Sequence, residues 1–228
     1  MGPGVAALRR TFAERDVVAL DGVFPRALFA ELATVTARAL GACGVRRDVR
    51  VAVTGGTQRR YRIAGRDALA AASGAFERTY RSPEVLEVIA HIAGEPVVPV
   101  PYRPEEFIAT RLEQPGDVHD WHWDDYSYAL VWVLRAPPPG SGCGVELVRH
   151  VAWDKADPRV ADHVRTHPVE RFHPRSGSAY LLRAHATLHR VAPLRAAAVR
   201  DVLCFSYAGA ADLTRTVTHE TVEALTCA

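Results

Sequence analysis

The chain is nearly empty of lysine: Lys155 stands alone among 28 basic residues. A bias of that kind follows codon composition as readily as chemistry, so an isolated arginine carries little functional weight by itself. Runs of like charge are missing too. The formal net charge is only +2 and the basic residues are scattered, which excludes the stripe or patch expected of a nucleic-acid footprint. No CxxC pair occurs. Cys43, Cys143, Cys204 and Cys227 lie far apart, which fits reduced thiols rather than a disulfide scaffold or a zinc ribbon. Apolar runs of membrane-spanning length are absent, and the opening "MGPGVAALRRTFAERD" has too short an apolar run for a signal peptide. The expectation is a soluble, cytoplasmic protein with neither membrane nor nucleic acid as partner; its oligomeric state is not legible.

What is present is enough apolar residue, 48% of 228, to bury one sizeable core. The chain shows neither an internal repeat nor a flexible linker, so a single domain over 1–228 is expected. Residues 16–24 ("DVVALDGVF") read as a strand running into a turn, and Pro25 begins a helix that stops at Gly41. A second helix is predicted across "RDALAAASGAFERTYR". A third, "SPEVLEVIAHIAG", has Ser82 as cap, Pro83 in its first turn and Gly94 at its end. After Gly94 the pattern changes to short β-rich runs split by Pro, Gly and Asp. Helices first and strands afterwards predict an α+β, mainly β fold. In it an N-terminal strand and supporting helices (1–95) buttress a sandwich or barrel core (96–210), followed by a C-terminal tail (211–228).

The densest chemistry lies in "GDVHDWHWDDYSYALVWVLRAP", residues 116–137. Two histidines and one carboxylate on a common face, with other coordination positions open, suit non-haem Fe(II) and oxygen. In extended chain, alternate side chains share a face, so His122 and Asp124 point together. The same parity continues through Tyr126, Tyr128, Leu130, Trp132 and Leu134, which would form one wall. His119 and Asp125 fall on the other face if the chain stays extended. Trp121, Trp123 and Trp132 are read chiefly as packing, and Tyr126 and Tyr128 are open between cavity lining and core. Arg59, Arg60, Arg62 and Arg111 read as surface charges, unless one near the mouth holds a substrate carboxylate.

Downstream come a Gly-rich turn into a strand ("SGCGVELVRH"), His189 in "LHRVAPL", and Arg200 opening a further strand. The order H-x-D, Gly-x-Glu-Leu, H-R-V-x-P and then Arg resembles the Fe(II)/2-oxoglutarate-dependent dioxygenases, in particular their prolyl-4-hydroxylase-like branch. The resemblance spans roughly residues 98–209. It implies a double-stranded β-helix, a jelly-roll or cupin-like barrel. It also implies His122, Asp124 and His189 as iron ligands, and Arg200 on the distal carboxylate of 2-oxoglutarate, a role suited to a planar, permanently charged fork. Gly144 and Glu146 match the family's turn and strand. Many relatives place Ser or Thr two residues after that arginine to share the carboxylate; here the position is Val202. Thr110, Tyr102, Tyr128 and Ser206 are the candidates to replace it. His185, four residues before His189, is read as a neighbour of the site rather than a ligand. Tyr126, Arg111 and Trp132 are candidates for substrate contact.

The implied activity consumes O₂ and 2-oxoglutarate, releases succinate and CO₂, and oxidises a C–H bond of a small amino-acid-like or biosynthetic molecule, by hydroxylation or by desaturation or ring closure. Halogenating relatives lack the carboxylate ligand so that chloride can bind iron; Asp124 is present. Two rivals stand beside this reading. One is a cupin-like metalloprotein with another metal, although cupins usually pair histidines as H-x-H, which this chain lacks. The other is a barrel that binds without turnover.

Overall fold

A computed structural model describes residues 3–226, so Cys227 lies outside the described residues. The chain opens with α1 (Pro3–Arg15), β1 (Val17–Ala19) and α2 (Arg26–Cys43). A hairpin follows, β2 (Val45–Val51) and β3 (Thr57–Ala64), and then three short helices, α3 (Arg66–Ala72), α4 (Ala75–Tyr80) and α5 (Pro83–Ala93). Next come β4 (Val98–Pro99), β5 (Phe107–Leu112), β6 (Val118–His122), β7 (Tyr128–Arg135) and β8 (Val145–Val148). The last part holds α6 (Val160–Thr166), β9 (Glu170–Phe172), β10 (Ser178–Arg183), β11 (Leu188–Val191), β12 (Arg200–Ala208) and α7 (Glu220–Thr226).

Local chemistry sets several boundaries. Ser82 Oγ accepts from the Val85 amide, and Gly94 ends α5 in the left-handed region at φ 81°. The expected second helix is two, because Ser73 is extended at φ −163° and breaks the run between α3 and α4. The helix from Pro25 runs through Gly41 to Cys43 and stops at Gly44. In the glycine-rich turn before β8, Gly142 takes φ +88° and a Cβ there would lie 2.1 Å from the Pro193 carbonyl oxygen, so only glycine fits.

The strands form a curled antiparallel sheet in the order β1-β10-β7-β12-β5-β3-β6-β11-β8-β9, with β2 on the edge of β3 and β4 against β12. The β2–β3 hairpin has no counterpart in the sequence-based expectation. Here it is the hinge of the sheet, because one end of β3 pairs with β5 and the other with β6. One face of β7 and β12 (Leu130, Trp132, Leu203, Phe205) packs on the helices through Phe29, Leu32, Phe76 and Ile89. That burial fixes the convex face and leaves the concave face of the curled sheet to enclose a cavity. Among the described residues no helix is long and apolar enough to cross a membrane.

Candidate metal centre

His122 ends β6 and His189 lies directly across from it on β11. Their rings are 4.1 Å apart, centroid to centroid. Asp124 comes two residues after the strand ends. Its Oδ1 stands 3.7 Å from His122 Nε2 and 3.8 Å from His189 Nε2. One ligand atom from each of the three lies within 4.8 Å of the others.

Both imidazoles are oriented from behind. His122 Nδ1 is 2.7 Å from the Asp120 carbonyl and His189 Nδ1 is 2.9 Å from that of Thr187. A neutral ring that donates through Nδ1 turns the lone pair of Nε2 to the centre, as metal-binding histidines require. Burial, then the neighbouring His119, His189 and Arg59, hold His122 well below its ordinary pKa and so keep it neutral. His185 supports the third member: its Nδ1 lies 3.2 Å from the Asp124 carbonyl. Two converging imidazole nitrogens and one carboxylate, with no protein donor between them, fit a divalent metal with open positions.

The cavity around this cluster is lined by Thr110, Ala129, Val131, Tyr180, Val202 and Arg200, among others. Arg200 is 2% exposed and its Nη2 has no acceptor. Thr110 is brought to the cavity, directly across from Val202. Five other residues singled out by sequence, Tyr102 and Tyr126 among them, are not part of its lining. Tyr128 turns its hydroxyl onto Glu95, Trp132 is buried between Phe24 and Phe29, and Arg111 is bound to Asp201 at 2.7 and 2.9 Å. Tyr126 is buried in a small apolar cluster with Val100 and Ala208.

Two parity expectations are corrected. The chain between β6 and β7 leaves strand geometry at residues 123–127, so the alternation does not carry across. Ala129 and Val131 face the cavity, while Tyr128, Leu130 and Trp132 face the helices. In β6 the register against β11 runs from His122/His189 to His119/Val191, three residues against two. This bulge brings His119 to the same face as His122, and their rings stack at 3.9 Å.

Other residues beside the metal cluster or along the cavity do not stand out in the sequence. Arg59, expected on the surface, is 0% exposed and lies across from His119 in the β3–β6 register. Among the described residues it donates only to Thr57, Thr54 and the Gln58 carbonyl, Nε has no acceptor, and no carboxylate pairs with it. At another corner Glu105, Asp125 and His219 come together. His219 Nδ1 is 2.8 Å from Glu105, and Lys155 Nζ is 2.6 Å from Asp125 and 2.8 Å from Glu220. Burial, then the charges of Asp125 and Asp124, push Glu105 far above the carboxylate range, so it holds the proton that it shares with Asp125. Helix α7, part of the expected tail, closes the cavity with Thr221, Val222 and Leu225.

A sequence model of the halogenase D family matches residues 3–226. The chain belongs to that family. No curated protein sequence matches it. Solved structures show the fold of this halogenase D family member. AviO1 from Streptomyces viridochromogenes Tue57 superposes with a TM-score of 0.69 at 20% identity, over 90% of this chain and 95% of that one. The α-ketoglutarate-dependent epimerase SnoN of nogalamycin biosynthesis gives 0.67 at 17% identity, over 91% and 83%. A Pseudomonas putida prolyl-4-hydroxylase gives 0.59 at 14%, over 89% and 98%. The likeness therefore establishes the jelly-roll oxygenase fold and does not single out the prolyl-4-hydroxylase-like branch.

Proposed function

We propose that the protein is an Fe(II)- and 2-oxoglutarate-dependent oxygenase that hydroxylates a small amino-acid-like molecule. One observation carries the reading: the His122, Asp124, His189 cluster opens on a cavity that also holds a buried arginine fork with a free nitrogen. SnoN was solved with Fe3+ and α-ketoglutarate, and the donor set here suits the same pair. His122, Asp124 and His189 would hold iron, and Arg200 would take the distal carboxylate of 2-oxoglutarate. Iron and 2-oxoglutarate bound there would supply oxidative decarboxylation coupled to oxidation of a C–H bond.

The rest is done by the chain. The apolar wall of Ala129, Val131, Leu182 and Val202 keeps water from the reacting carbon. Arg59 is a buried cation without a counter-ion, which is costly unless an anion arrives. Asp125 and Glu220 share the one ammonium of Lys155, which leaves this corner with more carboxylate than cation. A substrate with an anionic and a cationic group satisfies both places, as an amino acid does.

The family's description names halogenation, and Asp124 supports a different outcome here. A halide would need the coordination position that this carboxylate would fill. The test is aerobic incubation with Fe(II), 2-oxoglutarate and a panel of amino acids, with and without chloride, read by mass spectrometry. The expected product gains one oxygen atom whether or not chloride is present, with succinate formed alongside. A chlorinated product would overturn the hydroxylase reading. Iron-loaded anaerobic protein that develops no charge-transfer band with 2-oxoglutarate would overturn the cofactor reading.

A further inference from the structure

We propose that Tyr180 is the second group, beside Arg200, that binds the distal carboxylate of 2-oxoglutarate. The proposal rests on the cofactor reading above. It begins from a vacancy in the chemistry: Val202, two residues after Arg200 and facing the same cavity, has no hydroxyl to offer. A carboxylate can accept about four hydrogen bonds, and one arginine fork cannot fill them all.

The hydroxyl groups that line the cavity are those of Thr110, Tyr180, Ser206 and Thr221. Ser206 is six residues beyond Arg200 on β12, roughly 20 Å along an extended strand, and Thr221 belongs to α7 on the closing side. Tyr180 is placed differently. It sits on β10 across from Val131, which in turn lies across from Cys204 on β12. Its starting point is thus two strands, about 10 Å, from β12 and level with Cys204, two residues along from Val202. The ring covers that gap, because Tyr180 packs in one apolar cluster with Val131, Val133 and Val202. An edge contact from Phe172, 5.2 Å away at 89°, fixes its rotation. Its hydroxyl shares the cavity with the Arg200 guanidinium, close enough to feel its charge. An oxygen lone pair turned to the arginine would leave the hydroxyl proton to donate to a carboxylate on the same fork. The bare surface of Val202 is what makes room for the ring.

Thr110 is the rival, since it flanks Val202 from β5. Anaerobic Fe(II)-loaded full-length protein, titrated by its charge-transfer band, separates the two. Tyr180→Phe keeps the ring and removes only the hydroxyl. It is expected to bind iron as before and 2-oxoglutarate about 10-fold more weakly or worse, the size of one hydrogen bond to a charged group. Binding of 2-oxobutyrate, which has no distal carboxylate, should not change in this variant, and Thr110→Val should leave 2-oxoglutarate affinity alone. Unchanged 2-oxoglutarate affinity in Tyr180→Phe would overturn the proposal. So would an equal loss for both oxo acids, which means packing only, or a loss in Thr110→Val instead. If the unsubstituted, iron-bound protein gives no band, the cofactor reading falls first and takes this proposal with it.

Discussion

Arg200 and Asp201 are neighbours on β12, both buried, and they face opposite ways with opposite results. On the outer face Asp201 accepts from Arg111 Nε at 2.7 Å and Nη2 at 2.9 Å. On the inner face Arg200 meets a cavity and keeps Nη2 without an acceptor. Burial alone therefore does not set Arg200 apart; burial without a carboxylate does. The same sorting separates Arg66, which is buried on Glu106, from Arg59, which is buried on nothing of opposite charge. A chain that leaves a charge dry and unpaired gives up stability, and the natural account is a ligand that supplies the missing sign.

The sharpest way to break the comparison is to remove the two arginines of adjacent rungs in turn. Arg200→Leu should retain iron and lose about 100-fold or more in 2-oxoglutarate affinity, because a bidentate charge-assisted pair is lost. Its resistance to urea should hold or rise. Arg111→Leu should do the reverse: unchanged 2-oxoglutarate binding, and a stability loss of about 3 kcal/mol from the buried Asp201 left unpaired. Weakened cofactor binding in Arg111→Leu would mean that the two faces are not independent.

Arg59, beside the metal cluster, is proposed to meet an acid group of the substrate. Arg59→Met should leave iron and 2-oxoglutarate binding intact and raise KM for an acid-bearing substrate about 10-fold, with stability unchanged or improved. A variant that instead unfolds would show that Arg59 is held in place by Thr54 and Thr57 as a structural post.

The sorting also explains what could be read in advance. His122, Asp124 and His189, which come together in the structure, and Arg200, which lines the same cavity, stand out in the sequence through the order of motifs that resembles a known oxygenase family. Ser82 and Gly94 are legible because capping is local chemistry. Extended geometry puts His119 on the opposite face; a bulge adds one residue to β6 and turns it, and nothing in "VHDWH" announces a register that depends on the partner strand. Arg59 was hidden among alternating arginines in "QRRYR", where only the pairing of β3 with both β5 and β6 buries one of them. Tyr180 sits in "SAYLLR", which reads like any buried strand until its position across from Val131 is known. α7 looked like a tail because its apolar residues only gain a partner once the cavity exists.

The smallest expected effect lies on the outer face again, at Glu146 of β8. Its carboxylate takes Arg171 Nε and Arg190 Nε, each at 2.7 Å. Burial alone would raise its pKa, but the two arginines outweigh that and hold it below the ordinary carboxylate value. A carboxyl whose pKa is depressed by folding contributes stability above its unfolded value, about 4.3, and loses it as pH falls through the folded value. Glu146→Gln should therefore cost about 1 kcal/mol at neutral pH, since both arginines can turn to water. The gap to the unsubstituted protein in urea titrations should close progressively below about pH 4. A gap that stayed constant through that range would show the loss to come from packing rather than charge, and the outer face would then owe less to its ion pairs than Asp201 and Glu146 suggest.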